Sequence, residues 1–284
     1  MTYRELYKTA VKRLSESESD SPEYEVRCLM EHFFGLDRIS FITEADRTAD
    51  KEEQEMFLAA LEKRIGGFPL QYILGSWSFM DCCLSVGAGV LIPRDDTEVC
   101  VRECIRLIDE KKLTAPVIID LCSGSGAIAI ALAKKYPKAH IYAAELSDKA
   151  FSYLCENIEQ NEVGNVYAVN KDIGNFYGSF EDGFFDVIIS NPPYIKSNEI
   201  PSLQREVQFE PEMALDGGKD GLSFYRIIAE KWLPKLRSGG IVSLEIGEEQ
   251  GEAVRNLLLS SGIEDVRVIK DIQGMDRAAA GIRK

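Results

Sequence analysis

The 284 residues are 45% apolar and 28% charged, which describes a globular chain with enough material for one main domain and a smaller one. With 33 Lys and Arg against 47 Asp and Glu, the formal net charge is −14, a field that repels phosphate backbones and favours a basic or neutral protein partner over bare nucleic acid. Seven cysteines without a C-x-x-C pair, and only His32 and His140 to join them, argue against a disulfide framework and against a metal site.

The chain opens Met1-Thr-Tyr-Arg-Glu-Leu, with no basic segment leading into an apolar core, and no stretch reaches the roughly 18–20 apolar residues that span a bilayer. The expected location is the cytoplasm, with no membrane contact. Val26, Leu29, Met30 and Phe33, then Phe57, Leu58, Leu61 and Ile65, recur at helical spacing, and Gly66-Gly67 followed by Pro69 ends the last of these helices. The first eighty residues carry 10 basic and 15 acidic side chains, so this segment does not look like a nucleic-acid reader.

Residues 71–86, with Tyr72, Ile73, Trp77, Phe79, Leu84 and Val86, read as a β-hairpin. From about residue 115 short apolar runs alternate with helical segments. The runs are Val117-Ile-Ile-Asp-Leu121, Ile141-Tyr-Ala-Ala-Glu145, Val166-Tyr-Ala-Val169, Phe185-Asp-Val-Ile-Ile-Ser190 and Ile241-Val-Ser-Leu-Glu245, with a helix from about Ala127 after the first. That alternation predicts a parallel sheet covered on both faces. Residues 266–269 and 278–282 have no helix-length segment between them and predict a closing antiparallel pair.

Asp120-Leu-Cys-Ser-Gly-Ser-Gly126 joins the first strand to its helix. Gly124 and Gly126 let the backbone turn tightly and come close to a ligand, so a cofactor should lie across this turn. Gly124, Gly126 and Ala129 also satisfy the dinucleotide form G-x-G-x-x-A. Glu145, ending the second strand, is placed to accept from two ribose hydroxyls, which both NAD and S-adenosylmethionine carry. Asp120 separates the two: a charge that repels a pyrophosphate is tolerable beside the cationic amino-acid end of S-adenosylmethionine.

The fourth strand runs into Asn191-Pro-Pro-Tyr194 at the carboxyl edge of the sheet. Two prolines fix the backbone and remove two donors, which leaves Asn191 and the nearby carbonyls as oriented acceptors for an –NH2 group. The Asn191 oxygen and the Pro192 carbonyl can each take one proton of an amide or aromatic amine. Tyr194 can cover its flat face, and Pro193 completes the receptor.

Pro69-Leu-Gln-Tyr-Ile-Leu-Gly75, Val90-Leu-Ile-Pro-Arg94, residues 120–129, Asn191-Pro-Pro-Tyr-Ile195, Glu210-Pro-Glu-Met-Ala-Leu215, Gly217-Gly-Lys-Asp-Gly-Leu222 and Leu244-Glu-Ile-Gly247 together resemble the HemK/PrmC-type release-factor glutamine methyltransferases over nearly the whole chain. The resemblance implies an α/β, class I Rossmann-like fold with a seven-stranded, mostly parallel sheet. The domains it suggests are a helical substrate-docking domain over 1–70, a hairpin linker over 71–88 and an S-adenosylmethionine-dependent catalytic domain over 89–284. The implied substrate is the glutamine of the Gly-Gly-Gln motif of peptide chain release factors, methylated by a monomer with no direct nucleic-acid contact. Asn191, Pro192 and Tyr194 are the catalytic candidates and, with Pro193, the substrate site. Asp120, Cys122, Ser123, Gly124, Ser125, Gly126, Glu145 and Asn191 are the cofactor candidates, joined by Asp172 and Ile173 near the adenine.

Two departures from the family pattern stand out. Asp95-Asp96 replaces Pro-Glu after Arg94, where Asp95, Asp96 or Thr97 can cap the following helix. Cys122-Ser123 replaces a Gly-Thr or Gly-Cys pair, which bears on the backbone at Cys122; with no histidine nearby, that cysteine reads as packing, not as a nucleophile. Arg94 and Glu98 either shape the cofactor pocket or tie the linker to the catalytic domain. The competing functions are glutamine methylation of a ribosomal protein, amino methylation of DNA or RNA on a flipped base, an NAD-dependent dehydrogenase, for which no acid/base histidine is placed, and a non-catalytic shell, which the intact Asn191–Tyr194 loop disfavours.

Overall fold

A computed structural model describes residues 1–17 and 19–284, divided into two compact units: Met1–Ser76 with Gln204–Phe209, and Trp77–Leu203 with Glu210–Lys284.

The first unit is helical: α1 (Tyr3–Ser15), α2 (Pro22–Phe34), α3 (Arg38–Glu44), α4 (Lys51–Ile65) and α5 (Leu70–Leu74). Thr2 and Glu5 form a reciprocal capping box on α1, while Asp37 and Asp50 accept from the first amides of α3 and α4. The stripe read from the sequence becomes the core, with Leu6, Leu14, Val26, Leu29, Phe57 and Leu61 all buried. Arg64, on the inner face of α4, holds Glu25 through two hydrogen bonds of 2.6 and 2.9 Å and also reaches Glu206 at 3.0 Å, so its buried charge is paired.

The hairpin begins later than the aromatic and β-favouring content of residues 71–86 suggested. Leu70, Ile73 and Leu74 stand at helical spacing behind Pro69 and pack into the helical core, so this stretch folds as α5 and closes on Gly75 at φ +74°. The strands are β1 (Ser76–Phe79) and β2 (Cys82–Ser85).

In the second unit, α6 (Thr97–Glu110) precedes β3 (Val117–Leu121), α7 (Ala127–Lys135), β4 (His140–Glu145), α8 (Asp148–Gln160), β5 (Val166–Asn170), α9 (Ile173–Phe176) and β6 (Phe185–Ser190). Then come α10 (Ser223–Ile227), β7 (Leu236–Glu245), α11 (Gly251–Ser260), β8 (Ile263–Lys270) and β9 (Asp276–Arg283). The sheet order is β5-β4-β3-β6-β7-β9-β8. Strands β3 to β7 are parallel, and β9 runs antiparallel between β7 and β8, giving the seven strands and the closing pair expected.

Ile118 joins the core on one face of the sheet, while Ile119 and Leu121 join the core on the other. Burial on both faces explains why these strands read as continuous apolar runs. Chain order reverses between β3 and β6, so the carboxyl ends of β3, β4 and β6 surround the crevice where open α/β sheets bind ligands. Among the described residues no helix is long and apolar enough to cross a membrane.

Candidate active site

The turn after β3 is held by its neighbours' backbones. Ser123 N–H donates to the Ala144 carbonyl of β4 at 2.9 Å, and the Ser123 hydroxyl donates to the Asp120 carbonyl at 2.9 Å. The fully buried Asn157 of α8 donates to the Ser125 carbonyl at 2.9 Å while its Oδ1 accepts Ser85 N–H at 2.6 Å. Gly126 has φ +86°, and a Cβ there would stand 2.6 Å from Leu154. Gly124 has φ +55° and open space where its Cβ would point, so the backbone itself forms a cradle for a ligand. Cys122 takes φ +62°, a left-handed conformation unfavourable for a side chain. Burial pushes its thiol pKa up, which removes any nucleophilic role.

Glu145 lies across the cradle. One of its oxygens accepts Gly124 N–H at 2.8 Å and the other accepts Ser147 N–H at 2.8 Å. Burial raises its pKa and these backbone donors offset part of the rise.

A single cavity is lined by Cys122, Gly124, Glu145 and Asn191, with Asp172, Ile173 and Pro193 completing its wall. Asp172 caps α9, accepting Gly174 N–H at 2.7 Å, so its backbone and the Ile173 side chain face the cavity from a fixed turn. Leu91, Leu146, Lys171 and Phe224 also line it and were not singled out from the sequence. Ser123, Ser125, Gly126 and Pro192 do not line it; the first three shape the turn from behind.

Asp120 does not line the cavity either. Strand alternation turns its side chain to the same face as Ile118, where it is fully buried with no hydrogen-bond partner on either oxygen. Burial lifts its pKa to about 8. The expected contact with a cationic ligand end is therefore not preformed; the carboxyl sits beneath the turn.

Asn191 ends β6 with its Nδ2 donating to Thr97 Oγ1 at 3.1 Å, which leaves Oδ1 as the acceptor not used in that bond. Tyr194 is not on the cavity wall. Its hydroxyl donates to Glu245 Oε1 at 3.2 Å, and Gln250 Nε2 donates to its backbone carbonyl at 2.9 Å. These two bonds anchor the loop at Tyr194. A Cβ on Gly217 would stand 2.7 Å from Tyr194 Cα, and one on Gly221 would stand 2.4 Å from its carbonyl oxygen, which accounts for two of the three glycines of the 217–222 segment.

Glu245, fully buried at the end of β7, has one oxygen without a partner, and burial raises its pKa to about 7 against the pull of Thr97 and Tyr194. Its signal was present in the sequence: like Asp120 and Glu145, it is an acid closing an apolar strand.

Arg94 pairs with Glu210, which also accepts Ile92 N–H at 2.9 Å. Glu98 accepts Met80 N–H at 3.3 Å and pairs with Arg102. Both belong to ties between the hairpin, α6 and the 210–215 segment, not to the cavity wall. Asp96 stands at the α6 N-cap without a capping hydrogen bond and instead faces Arg277 at 3.6 Å.

The model of the PrmC N-terminal domain matches residues 5–75, and that of the methyltransferase small domain matches residues 105–210. A release factor glutamine methyltransferase of Thermodesulfovibrio yellowstonii is 40% identical over 87% of this chain and 87% of its own length. One of Moorella thermoacetica is 34% identical over 100% of this chain and 99% of its own. The solved structure of a methyltransferase from Pyrococcus furiosus shares the fold at a TM-score of 0.52 and 19% identity, covering 82% of this chain and 99% of that one. The open cradle at Gly124, the carboxylate of Glu145 and the wall of Asp172 and Ile173 fit S-adenosylmethionine.

Proposed function

The chain belongs to the release factor glutamine methyltransferases, and on that premise we propose that it methylates the side-chain amide nitrogen, N5, of the glutamine in the Gly-Gly-Gln motif of bacterial peptide chain release factors. The observation that carries the reading is Asn191. Its Nδ2 is engaged by Thr97, and the residue lines the same cavity as Gly124 and Glu145, so its Oδ1 is an oriented acceptor beside the donor site.

S-adenosylmethionine, when bound, supplies an already activated methyl group. The residues of the chain then have to bind, orient and dehydrate. Glu145 and the turn at Gly124 hold the donor, while Asn191 Oδ1 and the Pro192 carbonyl each accept one N–H of the glutamine amide. An amide nitrogen is a weak nucleophile because its lone pair is delocalised, so fixing both protons and the approach line contributes most of the available rate enhancement. Asp172 and Ile173 are assigned to the adenine end.

The helical first unit is assigned to docking the release factor, and the enzyme is read as a cytoplasmic monomer. The net charge of −14 supports a protein substrate over DNA or RNA. The test is transfer of labelled methyl to a purified release factor and to its Gly-Gly-Gln→Gly-Gly-Ala variant, beside duplex DNA and ribosomal protein. Label on the intact factor alone supports the reading; label on DNA or ribosomal protein alone replaces the substrate.

A further inference from the structure

Resting on the reading that the cavity at Gly124 holds S-adenosylmethionine, we propose that Asn157 is a positioning residue for the donor site, which fixes the glycine turn and the chain leaving the hairpin against each other. Both segments carry cavity wall, Cys122 and Gly124 on the turn and Gly89 and Leu91 on the chain that follows β2. They are remote in sequence, and Asn157 bonds to both.

Residues 83–89 run along α8 in the direction opposite to it. The Cys83 carbonyl accepts from Asn161 Nδ2 at 2.8 Å, and Ser85 is bound by Asn157. A Cβ on Gly87 would collide with the Tyr153 hydroxyl, and one on Gly89 would stand 2.7 Å from Lys149 Cδ. Alternate residues of the segment thus meet every fourth residue of the helix. Two residues of extended chain advance about 6.6 Å and four residues of helix about 6 Å, so the two repeats stay in step. The two glycines let the chain lie close against α8, and the row ends where Gly89 enters the cavity wall.

Asn157 ties this row to the turn. Its Nδ2 donates to the Ser85 carbonyl at 3.1 Å and to the Ser125 carbonyl at 2.9 Å, while Oδ1 accepts Ser85 N–H at 2.6 Å. The Ser85 N–H therefore settles which end of the amide is oxygen, and the –NH2 end is left for the turn. There the peptide between Ser125 and Gly126 is held at both ends, its carbonyl by Asn157 and its N–H by the Ser123 carbonyl at 2.8 Å. With Glu145 on Gly124 N–H at 2.8 Å, the cradle is pinned on both sides before a donor arrives. Asn157 is fully buried and does not line the cavity, so it acts through the backbone that it holds.

The experiment compares wild type, Asn157→Ala, Asn157→Asp and Asn161→Ala as full-length chains. Calorimetry gives the dissociation constant for S-adenosylmethionine, amide hydrogen exchange follows residues 122–126 without donor, and denaturation midpoints report stability. Asn157→Asp keeps the shape and the acceptor for Ser85 N–H but, when ionised, offers no donor to Ser125, and it carries the comparison if Asn157→Ala does not fold. Asn161→Ala frees the Cys83 carbonyl one helical turn farther along the row and leaves the Ser125 bond in place. Both Asn157 variants are expected to bind the donor roughly tenfold more weakly, the effect of one lost hydrogen bond to a buried group, and to exchange faster across the turn. Their kcat at saturating donor changes far less, because Asn191 is untouched. Asn161→Ala loses stability with donor affinity and turn exchange unchanged. A wild type that binds no S-adenosylmethionine overturns the reading of the cavity, and the inference falls with it. A wild type that binds, matched in affinity by a folded Asn157 variant, overturns the inference alone. So does an equal loss of affinity in Asn161→Ala, which assigns the effect to the contact between helix and hairpin as a whole.

Discussion

Asn191 and Thr97, 94 positions apart in the chain, share a 3.1 Å hydrogen bond that joins the end of β6 to the start of α6. It makes the Asn191 amide a fixed group before any substrate arrives. Asn191→Ala removes the oriented oxygen while leaving the Gly124 and Glu145 side of the cavity in place. Turnover should fall roughly 10²-fold, the scale of losing one preorganised hydrogen-bonding group in an active site. Donor affinity should stay within about severalfold, because one wall residue is trimmed without touching the ribose site. Single-turnover rates with calorimetric donor binding separate the two, and near-normal turnover in the variant refutes the role of Asn191.

Glu145→Ala should do the reverse. The carboxylate holds Gly124 N–H and Ser147 N–H, both at 2.8 Å, so its loss takes away the proposed ribose acceptor and two ties that shape the cradle. Hydrogen bonds to a charged group contribute about 1.5–3 kcal/mol each, so the dissociation constant for S-adenosylmethionine should rise roughly tenfold to a hundredfold. The kcat at saturating donor should change far less. An unchanged dissociation constant would remove Glu145 from the donor site.

The parts of this site that lie on one stretch of chain were legible from the sequence, and the parts that meet across it were not. Val117–Leu121, Gly124, Glu145 and Asn191 each announce themselves through a local pattern: an apolar run, a glycine turn, an acid or an Asn-Pro-Pro-Tyr loop at a strand end. Thr97, Asn157 and Gln250 have ordinary local surroundings, and their roles arise only when α6, α8 and the α11 start reach the same edge. Residues 71–74 belong to a helix and not to the hairpin, because β-favouring residues such as Tyr72 and Ile73 also fit one helical turn and packing into the helical core decides for the helix. Asp120 is readable both in identity and in direction, since a period of two from Ile118 turns its side chain away from the cavity.

Cys122→Gly should stabilise the protein without harming activity. The side chain occupies φ +62°, where a β-carbon costs on the order of 1–2 kcal/mol, and glycine gives back part of that through the greater freedom of its unfolded chain. The net expectation is a gain of about 0.5–1 kcal/mol, raising Tm by about 1–4 °C for a domain of this size. Burial keeps the Cys122 thiol protonated, so methyl transfer should be retained. A drop in Tm would mean that the cysteine's packing outweighs its backbone strain.

Asp120 makes a prediction in pH. Its carboxyl is lifted by burial to about 8 in the folded chain, above an unfolded value near 3.9. Across that window the folded state holds a proton that the unfolded state releases. Its contribution to stability is therefore complete below about pH 4 and is lost as pH rises toward 8. Asp120→Asn removes the ionisation, so the variant should gain on wild type as pH increases, by about 1–3 kcal/mol at pH 8.5, the usual scale for a buried polar group without a partner. The gap should narrow toward pH 5. If the buried charge also favours the cationic end of S-adenosylmethionine from beneath the turn, the same variant binds the donor more weakly while resisting denaturant better. Chemical denaturation at pH 5 and 8.5 reads the first effect and calorimetry the second. A stability difference that is the same at both pH values would show that the Asp120 carboxyl does not titrate in this range.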